Sequence, residues 1–173
     1  MKTVVIYRSK SGYAKRYADW IAEELHADIF EASQIAIDKM LAYDTVIYGG
    51  GLYAVGINGV KLIKDHLDRL KGKKVVVFAT GASPPREGAI QDVTNKNFTP
   101  EQLKHIRFFC LRGGFDYSKL MPFDKLLMNL LKLRLKKKKD KTPDERGMLA
   151  AIGNPVDFTK KQNIDELIAY VNS

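Results

Sequence analysis

Short apolar runs alternate with amphipathic helical segments along this chain, and the alternation restricts the fold more than any other feature of the sequence. Residues 3–7 form a β-rich run without polar alternation, which is typical of a strand covered on both faces of a parallel sheet. The apolar residues after it recur at the spacing of one helical face: Ala14, Tyr17, Ala18, Ile21, Ala22 and Leu25. A strand, a polar loop and an amphipathic helix therefore open the chain.

The same pattern continues to the end of the chain. Further strands are predicted over residues 28–31, 45–48, 74–80 and 106–111. Helices are predicted over residues 34–41, 58–70 and 88–105 and over a closing segment after residue 163. Asn58 and Asn163 are the expected N-caps, and Pro100 is expected to interrupt its helix. We therefore expect an α/β fold in one domain over residues 1–173: a three-layer, doubly wound, five-stranded parallel sheet.

The composition excludes several kinds of site. Cys110 has no second cysteine to pair with, and its apolar neighbours predict a buried, inert thiol. The histidines are scattered without ligand spacing, so no metal site is expected. No apolar run approaches the roughly 20 residues of a membrane-spanning helix, and the first residues lack the order of a signal peptide. We therefore expect a cytoplasmic protein.

The loop after the first predicted strand, residues 9–14, has the composition of a phosphate-binding site. Ser9 and Ser11 supply hydroxyls, Gly12 allows close approach of the backbone, and the following helix begins with unpaired N–H groups. A serine N-cap at a tight turn explains the same residues equally well. A nucleotide-hydrolysing P-loop needs Gly-Lys-Ser or Gly-Lys-Thr, and a dinucleotide site needs three spaced glycines, so neither fits.

The loop resembles the FMN-phosphate loop of the flavodoxin family, Thr/Ser-x-Thr/Ser-Gly-x-Thr, and the likeness extends over nearly the whole chain. The resemblance implies strand order 2-1-3-4-5 and an FMN cofactor. The phosphate would then be held by Ser9, Ser11, Gly12 and the N–H groups of Lys10, Tyr13 and Ala14. The flavin ring would lie between Gly50, Gly51, Leu52 and Tyr53 on one side and Thr80, Gly81, Ala82 and Ser83 on the other.

Two features of this resemblance have consequences for the flavin. Ala14 stands where the family usually has a hydroxyl, which leaves Lys10 or Lys15 to compensate by charge. A glycine among residues 49–51 could turn its carbonyl toward a protonated flavin N5, although a plain turn at the end of a strand explains the same glycines.

A basic and apolar segment, residues 119–141, follows the fifth predicted strand. Its nine lysines and arginines against two aspartates carry +7 of the chain's net charge of +9. A helical wheel gives it a narrow polar face, and the rest is mostly Leu, Met and Phe: the polar residues are Lys125, Asn129, Lys132 and Lys136. Such a helix packs on the domain, forms a homodimer or lies on an anionic membrane surface. Because the charge is confined to one element, a nucleic-acid partner is not expected.

The position and character of this insertion, about residues 115–147, are similar to those of the flavodoxin-type, menaquinone-dependent protoporphyrinogen IX dehydrogenases. The resemblance implies that FMN oxidises a small-molecule porphyrinogen and reduces a quinone, at the inner face of a membrane. Arg112 and Tyr117 would then face the substrate, although Arg112 could instead pair with a structural carboxylate. Two other functions stay open: a soluble electron carrier for a protein partner, or a non-catalytic membrane-docking module with a decayed flavin site.

Overall fold

The structure is a computed structural model that describes residues 1–173, apart from the side chain of Asp144. Its strands are β1 (Thr3–Arg8), β2 (Asp28–Glu31), β3 (Thr45–Tyr53), β4 (Gly56–Ile57), β5 (Lys74–Gly81), β6 (Arg107–Arg112), β7 (Gly114–Phe115) and β8 (Val156–Asp157). Its α-helices are α1 (Tyr13–Leu25), α2 (Ile37–Met40), α3 (Lys61–Lys64), α4 (Glu87–Asn97), α5 (Pro100–Leu103), α6 (Pro122–Lys137), α7 (Pro143–Gly153) and α8 (Asp165–Asn172). Turns of 3-10 helix cover Leu67–Leu70, Tyr117–Lys119 and Lys161–Ile164.

The central sheet is parallel, with strands in the order β2-β1-β3-β5-β6, and β4 pairs antiparallel with the end of β3. The five strands predicted from the sequence correspond to β1, β2, β3, β5 and β6. In that numbering the observed order is 2-1-3-4-5, so the predicted fold class is confirmed. β1 lies between β2 and β3 and is covered on both faces, which explains its unbroken apolar run.

Apolar clusters cover both faces of the sheet, because alternate residues of each strand point in opposite directions. On one face, Val4 of β1 packs in a cluster with Ile63 of α3. On the other face, Val5 packs with Tyr17 of α1 and Leu167 of α8. The apolar face predicted for α1 is therefore the face that this helix buries.

The two predicted N-caps are wrong, because Val60 occupies the N-cap position of α3 and Ile164 that of α8. Asn58 lies in a turn, where its N–H donates to the Gly51 carbonyl at 3.0 Å and its carbonyl accepts from the Tyr48 hydroxyl at 2.7 Å. The helix predicted over residues 58–70 is split into α3 and the 3-10 turn that follows it. Asn163 lies inside a 3-10 turn, and its amide donates to the Tyr17 hydroxyl at 2.6 Å.

The predicted interruption near Pro100 is confirmed. The Thr99 hydroxyl accepts from the Gln102 N–H at 3.2 Å, and the Gln102 side-chain oxygen accepts from the Thr99 N–H at 3.0 Å. Pro100 occupies the first position of α5. This capping box separates α5 from the end of α4.

The segment after β6 contains the predicted basic apolar helix as α6, but it also contains elements that were not predicted. These are α7 and the antiparallel pair β7–β8. Gly114 pairs with Asp157 and Phe115 with Val156, so the two ends of the segment meet beside the sheet. Among the residues that the structure describes, no helix combines the length and apolar character needed to cross a membrane.

Candidate functional site

The register of the sheet brings the three predicted loops to one edge. Arg8 at the end of β1 pairs with Gly50 of β3, which in turn pairs with Ala79 of β5. On the other side of β5, Gly81 pairs with Arg112 of β6. Ligands of parallel sheets bind beyond the carboxyl ends of the strands, so this edge is the candidate site.

The loop of residues 9–14 forms an open turn at the start of α1. Gly12 has a left-handed backbone with φ 92°, and a Cβ at this position would meet nothing within 4 Å. No described side chain caps α1, whose first intrahelical bond runs from the Arg16 N–H to the Gly12 carbonyl at 3.0 Å. The N–H groups before Arg16 therefore lack an intrahelical acceptor. Unpaired N–H groups and open space at the start of a helix are the features that bind an anion such as phosphate.

The two interpretations of the serine loop coexist in the structure. The Ser9 hydroxyl accepts a hydrogen bond from the Gly12 N–H at 3.0 Å, as expected of a serine that stabilises a tight turn. The Ser11 side chain is half-buried and that of Lys10 is exposed at the same turn. Ser9 thus shapes the turn, the Ser11 hydroxyl remains available at its mouth, and the Lys10 ammonium lies 3.4 Å from the Asp124 carboxylate.

Tyr13 and Ala14 contribute only backbone to this turn, because both side chains are buried. The Tyr13 hydroxyl donates to the Val156 carbonyl of β8 at 3.3 Å. Burial, followed by the charges of Asp157 and Asp116, raises the pKa of Tyr13, so the hydroxyl stays a donor. The sequence predicted the N–H groups of these residues as ligands, but it gave no signal that Tyr13 ties α1 to β8.

The glycines of β3 lie inside a strand, so the plain turn considered as an alternative at residues 49–51 is absent. β3 continues to Tyr53 and reverses through Ala54, which has φ 51°. A Cβ on Gly49 would collide with the Phe78 ring, and one on Gly50 would lie 2.7 Å from the Asn58 carbonyl oxygen. Close packing therefore accounts for these two glycines without any ligand.

The ends of β3 and β5 form two adjoining walls. Gly51 pairs with Thr80, and a Cβ on Gly81 would lie 3.0 Å from Leu52 Cδ1. Thr80 is buried, Ala82 is half-buried and Ser83 is exposed, whereas half of the Tyr53 side chain is exposed. The residues predicted to bind the flavin ring thus lie together. Tyr53 presents an aromatic face at the outer edge of the two walls, which we call the rim.

Asp124 of α6 reaches this rim, and the sequence interpretation missed it. Its carboxylate lies 3.4 Å from Lys10 Nζ, which is also 5.3 Å from the centroid of the Tyr53 ring. Asp124 raises the pKa of Tyr53, first by hydrogen bonding, while burial adds to the effect. Asp124 is only 6% exposed. The sequence did carry a signal for this burial. Asp124 is spaced i, i+7 and i+11 with Leu131 and Leu135, which places it on an apolar face away from the polar one.

The two candidate substrate residues have different surroundings. Arg112 Nε donates to the Ala82 carbonyl at 3.4 Å, and its guanidinium carbon lies 3.7 Å from the centroid of the Phe158 ring. A carbonyl and an aromatic ring thus take the place of the carboxylate considered as its structural partner. Tyr117 is half-buried in the 3-10 turn before α6, with Lys125 Nζ 5.9 Å from its ring centroid. Arg112 therefore adjoins the third loop, and Tyr117 belongs to the insertion.

The thiol of Cys110 is half-buried instead of buried, because β6 is an edge strand of the sheet. Burial raises its pKa, which keeps it protonated and weakly reactive. Within the described part of the chain, no cluster of three or more histidine, cysteine or acidic side chains could hold a metal ion.

Known proteins resemble this chain over most of its length. A family model described as a flavodoxin domain matches residues 4–142. An uncharacterized protein of Methanocaldococcus jannaschii is 26% identical over 132 residues, which is 75% of this chain and 87% of that protein.

Two solved structures are similar at lower levels. A flavodoxin, WrbA-like protein from Agrobacterium tumefaciens is 25% identical, with a TM-score of 0.43, over 53% of this chain and 65% of that chain. The Trp repressor binding protein from Bacillus subtilis is 18% identical, with a TM-score of 0.48, over 82% of this chain and 100% of that chain. The chain thus spans just under two thirds of the Agrobacterium protein and all of the Bacillus one.

Proposed function

The chain belongs to the flavodoxin domain family, whose cofactor is FMN, and on this premise we propose that it is an FMN-dependent oxidoreductase. Its flavin-binding redox role follows from the family, whereas its reaction and its site residues are proposals. Bound FMN would supply a ring that accepts electrons from one partner and donates them to another.

The observation that carries the proposal is the uncapped start of α1 beside the ends of β3 and β5. The phosphate of FMN would accept hydrogen bonds from the hydroxyl of Ser11 and from the N–H groups of the turn. Lys10 and Lys15, both about half exposed, would supply positive charge, although Lys10 lies 3.4 Å from Asp124 and Lys15 lies 2.8 Å from Asp19. These donors replace the hydroxyl that Ala14 lacks.

The flavin ring would lie between the two walls of the site. Residues 50–53 would cover one face, with the half-exposed ring of Tyr53 stacked on it. Residues 80–83 would cover the other side, and the buried Thr80 and the backbone N–H groups there would orient the polar edge of the ring. Together the walls would exclude water from part of the ring and leave one edge open to a reaction partner.

The finer proposal is that a protoporphyrinogen-type dicarboxylate donates the electrons and a quinone accepts them. Two observations support it. Arg112 contacts the wall of residues 80–83, and Asp124 of the basic insertion contacts Lys10 of the phosphate loop. Positive charge around the candidate site attracts a dicarboxylate and opposes the docking of a basic protein partner. The soluble electron carrier is the competing function, and it is favoured by an acidic surface that this chain lacks.

The first test is visible absorption of the purified protein titrated with FMN. The wild type should bind FMN, and Gly12→Asp should weaken binding on the order of 100-fold, because a carboxylate repels the phosphate and takes its donors. Gly72→Asp is the matched control, since Gly72 also has a left-handed backbone (φ 83°) and open surroundings far from the turn. The phosphate site would be contradicted if the wild type did not bind FMN, or if both variants lost the same amount of FMN affinity.

The second arm of the test adds substrates to the FMN-loaded protein without oxygen. Protoporphyrinogen should bleach the flavin absorption, and a menaquinone analogue should restore it. Arg112→Gln should raise KM for the porphyrinogen more than it lowers kcat if Arg112 contacts a substrate carboxylate. Reduction by a flavoprotein reductase but not by the porphyrinogen would support the electron carrier instead.

A further inference from the structure

Helix α6 has three faces of different character. The face toward the rest of the chain contains the buried Asp124 and Leu135. The polar face predicted from the sequence forms the second, and two of its lysines, Lys125 and Lys132, are half-buried. The third face, which we call the apolar stripe, has side chains that are 39–68% exposed: Phe123, Leu126, Leu127, Leu130 and Leu133. These positions fall three or four residues apart, so they form one continuous band along the helix.

The apolar stripe is long, and other exposed apolar side chains precede and follow it in the insertion. A helix of 16 residues extends about 24 Å. Met121, just before α6, is 60% exposed, and Met148 of α7 is 40% exposed. Contiguous apolar surface of this kind usually marks an interface with a protein or a membrane.

Positive charge continues the stripe at its C-terminal end. Arg134 and Lys137 follow Leu130 and Leu133 by four residues, and both are exposed, as is Lys139 beyond the helix. Asp124 is the acidic residue within α6, and it is buried against Lys10. The exposed surface of this helix is therefore apolar and cationic, without negative charge of its own.

We infer that the apolar stripe docks on an anionic lipid surface, with α6 parallel to the membrane plane. The leucines and Phe123 enter the boundary between headgroups and acyl chains, and Arg134, Lys137 and Lys139 contact the headgroups. This inference does not depend on flavin binding. If the proposed function also holds, the Lys10–Asp124 contact brings the phosphate loop close to the membrane.

Charge complementarity favours lipid over a second copy of this chain. In a parallel pair of stripes the cationic ends of both helices would meet, and in an antiparallel pair each cationic end would lie over the apolar N-terminal half of the other helix. Neither arrangement supplies an exposed carboxylate from α6 to pair with the positive charge. An anionic lipid surface supplies both an apolar layer and the opposite charge.

The test is flotation of the full chain with vesicles of phosphatidylcholine alone and vesicles that also contain phosphatidylglycerol. The wild type should bind only the anionic vesicles. The stripe variant Leu126→Ser/Leu130→Ser/Leu133→Ser should lose binding by at least tenfold. The charge variant Arg134→Gln/Lys137→Gln/Lys139→Gln should lose on the order of 100-fold, since each cation contributes about fivefold. Its matched control, Lys61→Gln/Lys71→Gln/Lys96→Gln, removes the same charge elsewhere and should stay within about twofold.

Three results would overturn the inference. These are absence of wild-type binding, binding that survives the stripe variant, and a wild-type dimer that only the stripe variant dissociates, which would identify a second copy as the occupant. Because all substituted positions are exposed, unchanged circular dichroism and thermal melting should accompany each variant. Gly12→Asp should bind vesicles like the wild type, which separates a failure here from a failure of the flavin site.

Discussion

Asp124 connects the insertion to the candidate site through a single carboxylate. It lies almost fully buried beside an exposed lysine of the phosphate loop and the tyrosine at the rim. A buried carboxylate needs a partner, and here Lys10 supplies the positive charge. The same lysine is a proposed ligand of the FMN phosphate, so carboxylate and phosphate would compete for one ammonium group.

At this scale we predict that Asp124→Asn tightens FMN binding by roughly three- to tenfold, because it removes a negative charge near the proposed phosphate position and releases Lys10. Fluorescence titration of FMN would measure the change. Asp140→Asn makes the same change in net charge at an exposed position and should leave the affinity unaltered. Weaker binding by Asp124→Asn would mean that the carboxylate holds the loop in its binding shape.

The junction between α6 and α7 depends on a helix cap and on a local ion pair. α7 begins with a capping box in which the Thr142 hydroxyl accepts from the Glu145 N–H at 3.2 Å, and a Glu145 carboxylate oxygen accepts from the Thr142 N–H at 2.8 Å. The same carboxylate lies 2.8 Å from Lys138 Nζ, just beyond α6. Glu145 therefore joins the end of one helix to the start of the next.

At the scale of the element, we predict a lowered pKa for Glu145. The Lys138 hydrogen bond lowers it first and the Thr142 N–H second, from an ordinary value of 4.5. A lowered carboxyl pKa stabilises the folded state above the unfolded-state value, and this contribution is lost as the pH falls through the folded-state value. An NMR titration of the Glu145 carboxyl should show the shift, and Lys138→Gln should return it toward 4.5. An equal pKa in both proteins would contradict the pairing.

For the molecule as a whole, the short β7–β8 ribbon attaches the insertion to the sheet. Gly114 of β7 lies against the Tyr13 ring and the Val156 carbonyl, and Tyr13 donates to that carbonyl from the start of α1. The Gly113 N–H also donates to the Gly81 carbonyl at 2.7 Å. The proposed phosphate turn, one wall of the flavin site and the insertion thus share one small junction.

We predict that Gly114→Ala loosens this junction, because its Cβ would collide with both the Tyr13 ring and the Val156 carbonyl. The cost should be about 1–3 kcal/mol of stability, with faster limited proteolysis inside residues 116–155. Gly147→Ala is the control, since a Cβ there meets nothing within 4 Å and favours the α7 helix by about 0.5–1 kcal/mol. Equal proteolysis of the two variants would show that the ribbon does not hold the insertion.

The sequence by itself determined the class of fold, because its signals are local. The apolar run of β1, the stripe of α1 and the interruption at Pro100 each follow from periodicity or backbone chemistry within a few residues. The loops of the candidate site could be predicted for the same reason, since parallel strands bring their carboxyl ends to one edge.

The tertiary structure alone decided what depends on contacts distant in the sequence. The Asn163 amide donates to the Tyr17 hydroxyl instead of capping a helix, and Tyr13 packs against a ribbon more than 100 residues away. Asp124 acquires its partners in Lys10 and Tyr53 only when α6 folds back onto the rim. Periodicity predicted an apolar helix, but only packing shows which apolar face it buries and which face stays exposed, because every such face looks alike on a helical wheel.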